Sequence, residues 1–563
     1  MQPERAAKSF AVAMTVLLLA AASAAAQQAP KPPDRAVLER LDRVIAERMD
    51  ASGVPGFSLA VVAGDRIVHA RGFGEADASG RAVGADTPFV TGSSGKAFTA
   101  LALIQLVEAG KLDLDAPVRR YVPELRTADQ SEADRITVRH VAQHTSGFRT
   151  EAGGAVLHSA ADGGSLEVVA EVRDEKLVSS PGQSFHYSNI NYVLAGLVIE
   201  RASGEPFADY MRRHVFAPLG MHRTFTALAE ARAAGLASGA RYWFGLTRWH
   251  GPTFRPGLQA AGYYVSTATD MARFLRLFLA DGVIDGRRIV SERGLETLLM
   301  PGRQAHLGPW ADGAGARYAM GWFKGGPWRE PVFFHPGNTP DSSSMLVVMP
   351  ERGWAAASMT NISNELPIPG NPSVPDRLGR NVVDVLLGEP VGGASARSFY
   401  AKFDLVVAAI FGLLLWSLTR AALAVRRAAA VRHFRHSALG VVARALAGTL
   451  IALSPGLTLG WASSWLWSPD LTLTVVVLGS TLVLIAAVRA AWLVRAERRA
   501  DPPVGDSPRN PPSKPSASWS SSDQPRRLRV SLVAAVDELP ARQASPSVSK
   551  RPPTRHSRPM PGD

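Results

Sequence analysis

Three apolar runs fill most of the stretch between residues 405 and 494 of this 563-residue chain. Leu405–Val425 carries one charge, Arg420; Ala445–Pro469 carries none and contains Pro455; Leu471–Val494 carries Arg489 near its end. A helix of about 20 apolar residues crosses a bilayer core of about 30 Å. Inside lipid only helices or closed barrels satisfy every backbone polar group. The sequence therefore predicts transmembrane helices over 405–425, 445–467 and 471–494, with both arginines near enough to a run end to snorkel. The connection Arg426–Arg435 is arginine-rich, and Arg495, Arg498 and Arg499 follow the third run. The connection with Trp461, Trp465, Trp467 and Asp470 has no arginine. The excess of cations in cytoplasmic loops then sends the first run inward, the second outward and the third inward, leaving residues 1–400 outside.

The N-terminus agrees. Arg5 and Lys8 precede the apolar segment Ala11–Ala22 and a small-residue stretch, the pattern of a secretory signal over 1–26 cleaved after Ala24 or Ala26. The net charge of +13 would fit a nucleic-acid partner if it were spread over a globular domain. From residue 401 onward there are 21 Lys/Arg and 9 Asp/Glu, a balance of +12, so the first 400 residues are nearly neutral. No nucleic-acid partner is expected. Residues 501–563, rich in Pro, Ser and Arg, read as a disordered basic cytoplasmic tail able to touch anionic lipid. With no cysteine, disulfides, thiolate metal sites and a cysteine nucleophile are excluded.

The exported portion reads as one α+β domain over 34–390. Asp34 is placed to cap a helix running to Met49, and Gly56–Asp65 and Arg66–Gly72 form a strand pair. The span 120–300 is mainly helical in pattern, with strong helices over Asn191–Ala202 and Thr269–Ala280. Strands return at Tyr318–Phe323, Val332–His335, Ser343–Met349 and Trp354–Met359, and Pro375–Leu387 is amphipathic. Strands at both ends imply one antiparallel sheet flanked by helices, with a mainly helical region inserted. A cleft between the two is the natural place for a site.

Chemistry concentrates at Ser93-Ser94-Gly95-Lys96, where small residues open an apolar helix. One helical turn separates Ser93 from Lys96, which puts an amine beside a hydroxyl. Serine is a poor nucleophile until a neighbouring base takes its proton. Lysine becomes that base when burial lowers its pKa. Downstream, Tyr187-Ser188-Asn189 follows a Pro181-Gly182 turn and precedes a helix. Tyr187 is a candidate proton shuttle, and Asn189 a candidate both for holding Lys96 and for binding a substrate amide. His335-Pro336-Gly337-Asn338 ends a strand. Gly337 there would let a substrate lie along the strand edge, and the Asn338 N–H would join that of Ser93 in an oxyanion hole. His144 and His186 are read as structural.

Taken in order, these motifs resemble the serine β-lactamase and penicillin-binding protein superfamily, whose signature is Ser-x-x-Lys, a middle motif and Lys-Thr-Gly. The Tyr-x-Asn middle motif is similar to the class C β-lactamase branch, with its D-alanyl-D-alanine carboxypeptidases, D-aminopeptidases and family VIII esterases. His144-Thr145-Ser146-Gly147 and Ser266–Phe274 look like that branch as well. The resemblance covers residues 35 to 390 and implies an acyl-enzyme mechanism. Ser93, Lys96 and Tyr187 would be catalytic; Asn189, His335, Gly337 and Asn338 would bind a small-molecule or peptide substrate; no cofactor or metal would be needed. One departure stands out. Where class C enzymes carry Lys-Thr-Gly, this chain has His335-Pro336-Gly337, replacing a fixed cation by an imidazole mostly neutral at pH 7. That points away from efficient β-lactam hydrolysis and toward the peptidase members. An esterase of the same fold, and a non-catalytic envelope sensor relaying through its three helices, are the competing readings.

Overall fold

The computed structural model describes residues 30–159, 163–305, 315–363, 374–392, 395–427, 434–458, 464–465 and 469–500. The expected leader over 1–26 and tail over 501–563 lie outside them.

In chain order the strands are β1 (Gly56–Ala63), β2 (Arg66–Gly74), β3 (Phe89–Val90), β4 (Gly239–Trp243), β5 (Leu246–His250), β6 (Val265–Ser266) and β7 (Val283–Ile284). After these come β8 (Arg287–Arg288), β9 (Arg317–Tyr318), β10 (Phe323–Gly325), β11 (Val332–Thr339), β12 (Ser342–Met349), β13 (Trp354–Thr360) and β14 (Ile362–Ser363). Seven of them form an antiparallel sheet in the order β2-β1-β13-β12-β11-β10-β9. The long helices are α1 (Arg35–Ser52), α2 (Lys96–Glu108), α3 (Asn189–Ser203), α4 (Ala268–Leu279), α5 (Val374–Leu387), α6 (Ala396–Arg427), α7 (Phe434–Thr458) and α8 (Pro469–Ala500).

Strand β1, next to the edge strand β2, is buried along its length and apolar except for Ser58, because the sheet is covered on both faces there and no solvent side imposes alternation. Its side chains still divide by the two-residue period of a strand. Phe57, Leu59 and Val61 join Leu41, Ile45 and Met49 of α1 and Leu378, Val382 and Leu386 of α5 in one core. Ala60 and Val62 face the other core, with Met271, Ala272 and Leu275 of α4 and most of α2. Helix α2 is buried on nearly every side, polar Lys96 and Thr99 included, because it runs through that core instead of along its rim. Phe98, fully buried, sits among Phe216, Tyr264 and Phe274 with ring centroids at 5.6, 5.7 and 4.7 Å, all edge-to-face.

Several expectations change. Tyr318–Phe323 is not one strand but the bend between β9 and β10. Ala319 N–H closes on Trp322 O at 2.7 Å, and Gly321 takes a left-handed φ of 73°. The bend is imposed by packing, since a Cβ at Gly321 would stand 2.8 Å from Lys96 O and 2.9 Å from Ala97 Cα. Strand β11 does not stop at His335 but runs to Thr339, pairing Gly337 with Ser344 and Asn338 with Ser343. Proline enters strands where one edge is unpaired, and β11 has lost its β10 partner after Phe334. Asp34 makes no side-chain cap to α1; its carboxylate lies 3.1 Å from Lys31 Nζ, both groups exposed. The mainly helical insert also holds the β4–β5 and β7–β8 hairpins.

Among the described residues, three helices are long and apolar enough to cross a membrane, over Ala396–Arg420, Leu439–Leu457 and Pro469–Arg495. The first begins nine residues before the predicted run at 405–425, because helix α6 continues back to the sheet-bearing domain. Helices α7 and α8 meet where Gly448 and Gly479 remove two side chains; a Cβ on Gly448 would lie 2.7 Å from Gly479 O.

Deleting the Phe98 ring leaves a cavity that the rigid surrounding rings cannot fill. Phe98→Ala is expected to lower stability by about 3–5 kcal/mol, read as a shift in the denaturant midpoint of the detergent-solubilised chain.

Candidate active site

A short 3₁₀ turn, Gly92–Gly95, carries Ser93 into α2, which starts at Lys96. The turn is pinned from three sides by absent side chains. A Cβ on Gly92, which has φ 59°, would stand 2.5 Å from Asn338 N. A Cβ on Gly337 would overlap Thr91 O and approach Ser344 Oγ at 2.6 Å and Ser94 N at 2.7 Å. On Gly262, with φ 137°, it would overlap Gly92 O and come within 2.8 Å of Ser93 N. Gly337 thus clears room for the Ser93 turn. Ser94 Oγ lies 2.6 Å from Ser344 Oγ and donates to Thr91 O at 3.1 Å, stitching the turn to β12. The backbone at Asn338 is thereby brought to the Ser93 turn, while its Oδ1 accepts from Ser343 Oγ.

Lys96 is fully buried. Its Nζ donates to Ser93 Oγ at 3.1 Å, Asn189 Oδ1 at 2.9 Å and Ala261 O at 2.6 Å. The amine also stands 5.0 Å from the Tyr187 ring centroid and 5.5 Å from that of Tyr192. No carboxylate is among these partners. Loss of solvent is therefore uncompensated by opposite charge, and burial holds the Lys96 pKa well below its ordinary value. Asn189, at the first turn of α3, anchors its own Nδ2 on Gly153 O at 3.2 Å, which aims Oδ1 at the lysine.

Around this pair lies a cage of neutral aromatic groups. His144, fully buried with φ 56°, accepts at Nδ1 from Ser188 N–H (3.2 Å), and Asn191 Nδ2 lies 3.0 Å away. Its Nε2 has no hydrogen-bond partner among the described residues. The ring lies 4.3 Å from that of Tyr187, 5.2 Å from Tyr192 and 4.8 Å from Tyr318. His186 is only partly buried, and its backbone N–H donates to His144 O at 2.8 Å. His335 differs from the expectation of direct substrate contact. Its ring is 1% exposed; Nδ1 lies 2.6 Å from Pro336 O and Nε2 lies 3.1 Å from Tyr318 Oη. Burial, the main cause, pushes its pKa down to about 3. The position that would otherwise offer a cation holds a neutral, internally bonded ring.

The structure thus brings Ser93, Lys96, Tyr187 and Asn189 together and lays the Gly337–Asn338 backbone beside the same turn. Sequence reasoning missed the Ala261 carbonyl, the closest acceptor to Lys96, and the Tyr192 and Tyr318 rings. The one local signal was Gly262, a glycine whose strained φ marks a place where backbones meet.

Fold and site define a member of the serine β-lactamase and penicillin-binding protein superfamily, in its class C-like branch. Residues 41–371 match the family described as Beta-lactamase, more than half of the chain, and the chain belongs to that family. Penicillin-binding protein 4 of Amycolatopsis lactamdurans is 32% identical over 328 residues, 56% of this chain and 84% of the relative. Protein flp of Staphylococcus aureus (strain MW2) is 22% identical over 466 residues, 79% of this chain and 90% of its own length, so the similarity extends past the family domain. Among solved structures, the octameric penicillin-binding protein homologue of Pyrococcus abyssi superposes with a TM-score of 0.55 at 26% identity, covering 62% of this chain and 78% of that one. The D-amino acid amidase of Ochrobactrum anthropi SV3, complexed with L-phenylalanine, gives 0.52 at 26% identity, covering 62% and 98%.

Two outcomes follow from this geometry. Gly337→Ala forces the Ser93 turn away from β11, and overpacking of this kind costs about 1–3 kcal/mol; thermal unfolding of the variant reads it. Second, the unfolded chain protonates His335 near pH 6.5 and the folded chain only near 3. Stability present above pH 6.5 therefore declines as pH falls toward 3, at up to ~1.4 kcal/mol per pH unit from this group. Urea midpoints measured across that window are expected to fall less steeply in His335→Asn than in the parent chain.

Proposed function

We propose that this chain is an exported, membrane-anchored serine hydrolase that cleaves an amide or ester of a D-amino-acid-containing substrate through an acyl-enzyme. The observation that carries the reading is the buried Lys96 amine, hydrogen-bonded to Ser93 Oγ and lacking a carboxylate partner. In its neutral form it accepts the Ser93 proton as Oγ bonds to the substrate carbonyl carbon. The Ser93 and Asn338 N–H groups receive the oxyanion. When the carbon–nitrogen or carbon–oxygen bond breaks, the leaving group takes a proton by way of Tyr187. Water then adds to the acyl ester, Lys96 and Tyr187 receive its proton, and the acid departs with Ser93 restored.

Two features support an amide substrate of the peptidase type. His335 offers no charge to a substrate carboxylate, in contrast to the lysine of Lys-Thr-Gly enzymes. The Ochrobactrum relative is a D-amino acid amidase. Anchoring is supported by the three membrane-length helices, and the outward placement of the domain by the arginine-rich 426–435 connection.

Membranes bearing the full chain, incubated with a fluorescent penicillin or a fluorophosphonate, are expected to show a labelled band that Ser93→Ala abolishes. Absence of Ser93-dependent label from both probes removes the acyl-enzyme reading. D-phenylalaninamide against p-nitrophenyl esters separates amidase from esterase. Lys96→Met is expected to lower kcat/KM by about 10²–10⁴-fold. In the parent enzyme kcat/KM falls as acidification protonates Lys96, with its acid limb well below the ordinary lysine range.

A further inference from the structure

The β4–β5 hairpin is rooted at the end of the main sheet where β11 turns into β12. The fully buried Asp341 carboxylate accepts from Thr253 N–H at 2.9 Å, Thr253 Oγ1 at 2.6 Å and Thr339 Oγ1 at 3.1 Å. His250 Nδ1 lies 3.5 Å from the same carboxylate. A Cβ on Gly239 would stand 2.7 Å from Asp341 Cγ, so strand β4 starts in contact with this root. Five residues further, about 16 Å at strand rise, the hairpin reverses through Phe244 and Gly245.

That reversal is unusual chemistry. Both central residues are left-handed, with φ 49° at Phe244 and 72° at Gly245. Asn-Gly suits such a turn, whereas an aromatic side chain with positive φ is strained. The ring therefore has a use that the turn itself does not supply. Phe244 N–H donates to Asp470 Oδ2 at 3.0 Å, and Asp470 is the second residue of α8. Beside the tip, Tyr242 lies against Tyr400 of α6 with ring centroids at 5.5 Å. The hairpin tip thus stands level with the entry of one membrane-length helix and against another.

Its outer surface is graded. Along β5, Leu246, Arg248 and His250 alternate outward. Leu246 at the tip is 58% exposed, and Trp465, shortly before α8, is 41% exposed. Apolar and aromatic groups at the level of a helix entry, with a cation one step above, match the layering of a lipid–water interface.

We propose that the tip formed by Trp243, Phe244 and Leu246 inserts into the interface of the bilayer crossed by α6, α7 and α8, with Arg248 meeting headgroup phosphates. The proposal rests on the membrane-spanning reading above. The hairpin then acts as a strut that sets the height of the Asp341 end of β11 above the lipid.

The chain has no cysteine, so single-cysteine variants label cleanly. Nitroxides at Leu246→Cys, Arg248→Cys and His250→Cys of the full chain, reconstituted in phosphatidylcholine–phosphatidylglycerol vesicles, are read by collision with oxygen and with a water-soluble nickel chelate. Leu413→Cys on the exposed face of α6 and Leu166→Cys on the hydrolase domain are the lipid and water references. The oxygen-to-nickel ratio at 246 is expected to exceed that at 166 several-fold and to fall through 248 to 250. Should Leu246→Cys fail to fold, the ratio at Arg248→Cys, expected to exceed that at 250 and at 166, decides alone. A ratio at 246 equal to that at 166, exclusion of both agents there, or no fall along the strand overturns the proposal while Leu413 reads as lipid. A water-like Leu413 instead overturns the membrane reading on which it stands.

Discussion

A primary amine with no countercharge, enclosed in protein, is the constraint around which the β-lactamase-family domain is arranged. Charged, Lys96 would be costly to bury unpaired; neutral, it is an adequate base and a good hydrogen-bond donor. Burial without a carboxylate is what favours the neutral form, against three acceptors that would suit an ammonium, and the neighbouring rings of tyrosine and histidine are kept uncharged by burial as well. Asn189 takes the position where an acidic residue would have restored the ammonium. The histidine of the third motif fits the same pattern, since a lysine there would add a cation to the cage.

Holding that amine in place requires backbone to meet backbone. Gly262 meets Gly92 and Ser93, Gly337 meets Thr91 and Ser94, Gly321 meets Lys96 and Ala97, and Gly92 within the turn meets Asn338. Their contacts are mainly with main-chain atoms, which cannot rotate aside as a side chain tip can. Rigidity at Ser93 thus comes from the absence of four side chains as much as from the hydrogen bonds that are present.

The order of elements is legible in the sequence because the core strands and helices carry strong apolar patterns. The grouping of Ser93, Lys96, Tyr187 and Asn189 is legible because hydroxyl, amine, phenol and amide occur at spacings that only one kind of chemistry uses. What escapes is set by tertiary contact. Nothing local in Tyr318–Phe323 tells a bend from a strand, since Gly321 turns only to clear α2. Ala261 offers a carbonyl, which every residue has, so its approach to Lys96 leaves no mark in composition. His335 reads as a ligand group in a motif, yet its burial depends on Tyr318 arriving from the neighbouring hairpin. The β4–β5 hairpin hides in a helical region because its strands are five residues each and its turn breaks the usual residue rule.

The sheet order has a consequence for how the molecule is made. Strand β1 pairs with β13, Phe57 opposite Thr360, a separation of 360 − 57 = 303 residues. At synthesis rates of about 5–20 residues per second, β1 waits roughly 15–60 s before its inner neighbour exists. During that interval an eight-residue, uncharged, mainly apolar strand has one edge with no native mate. Until β13 emerges, that edge is open to pairing with other chains.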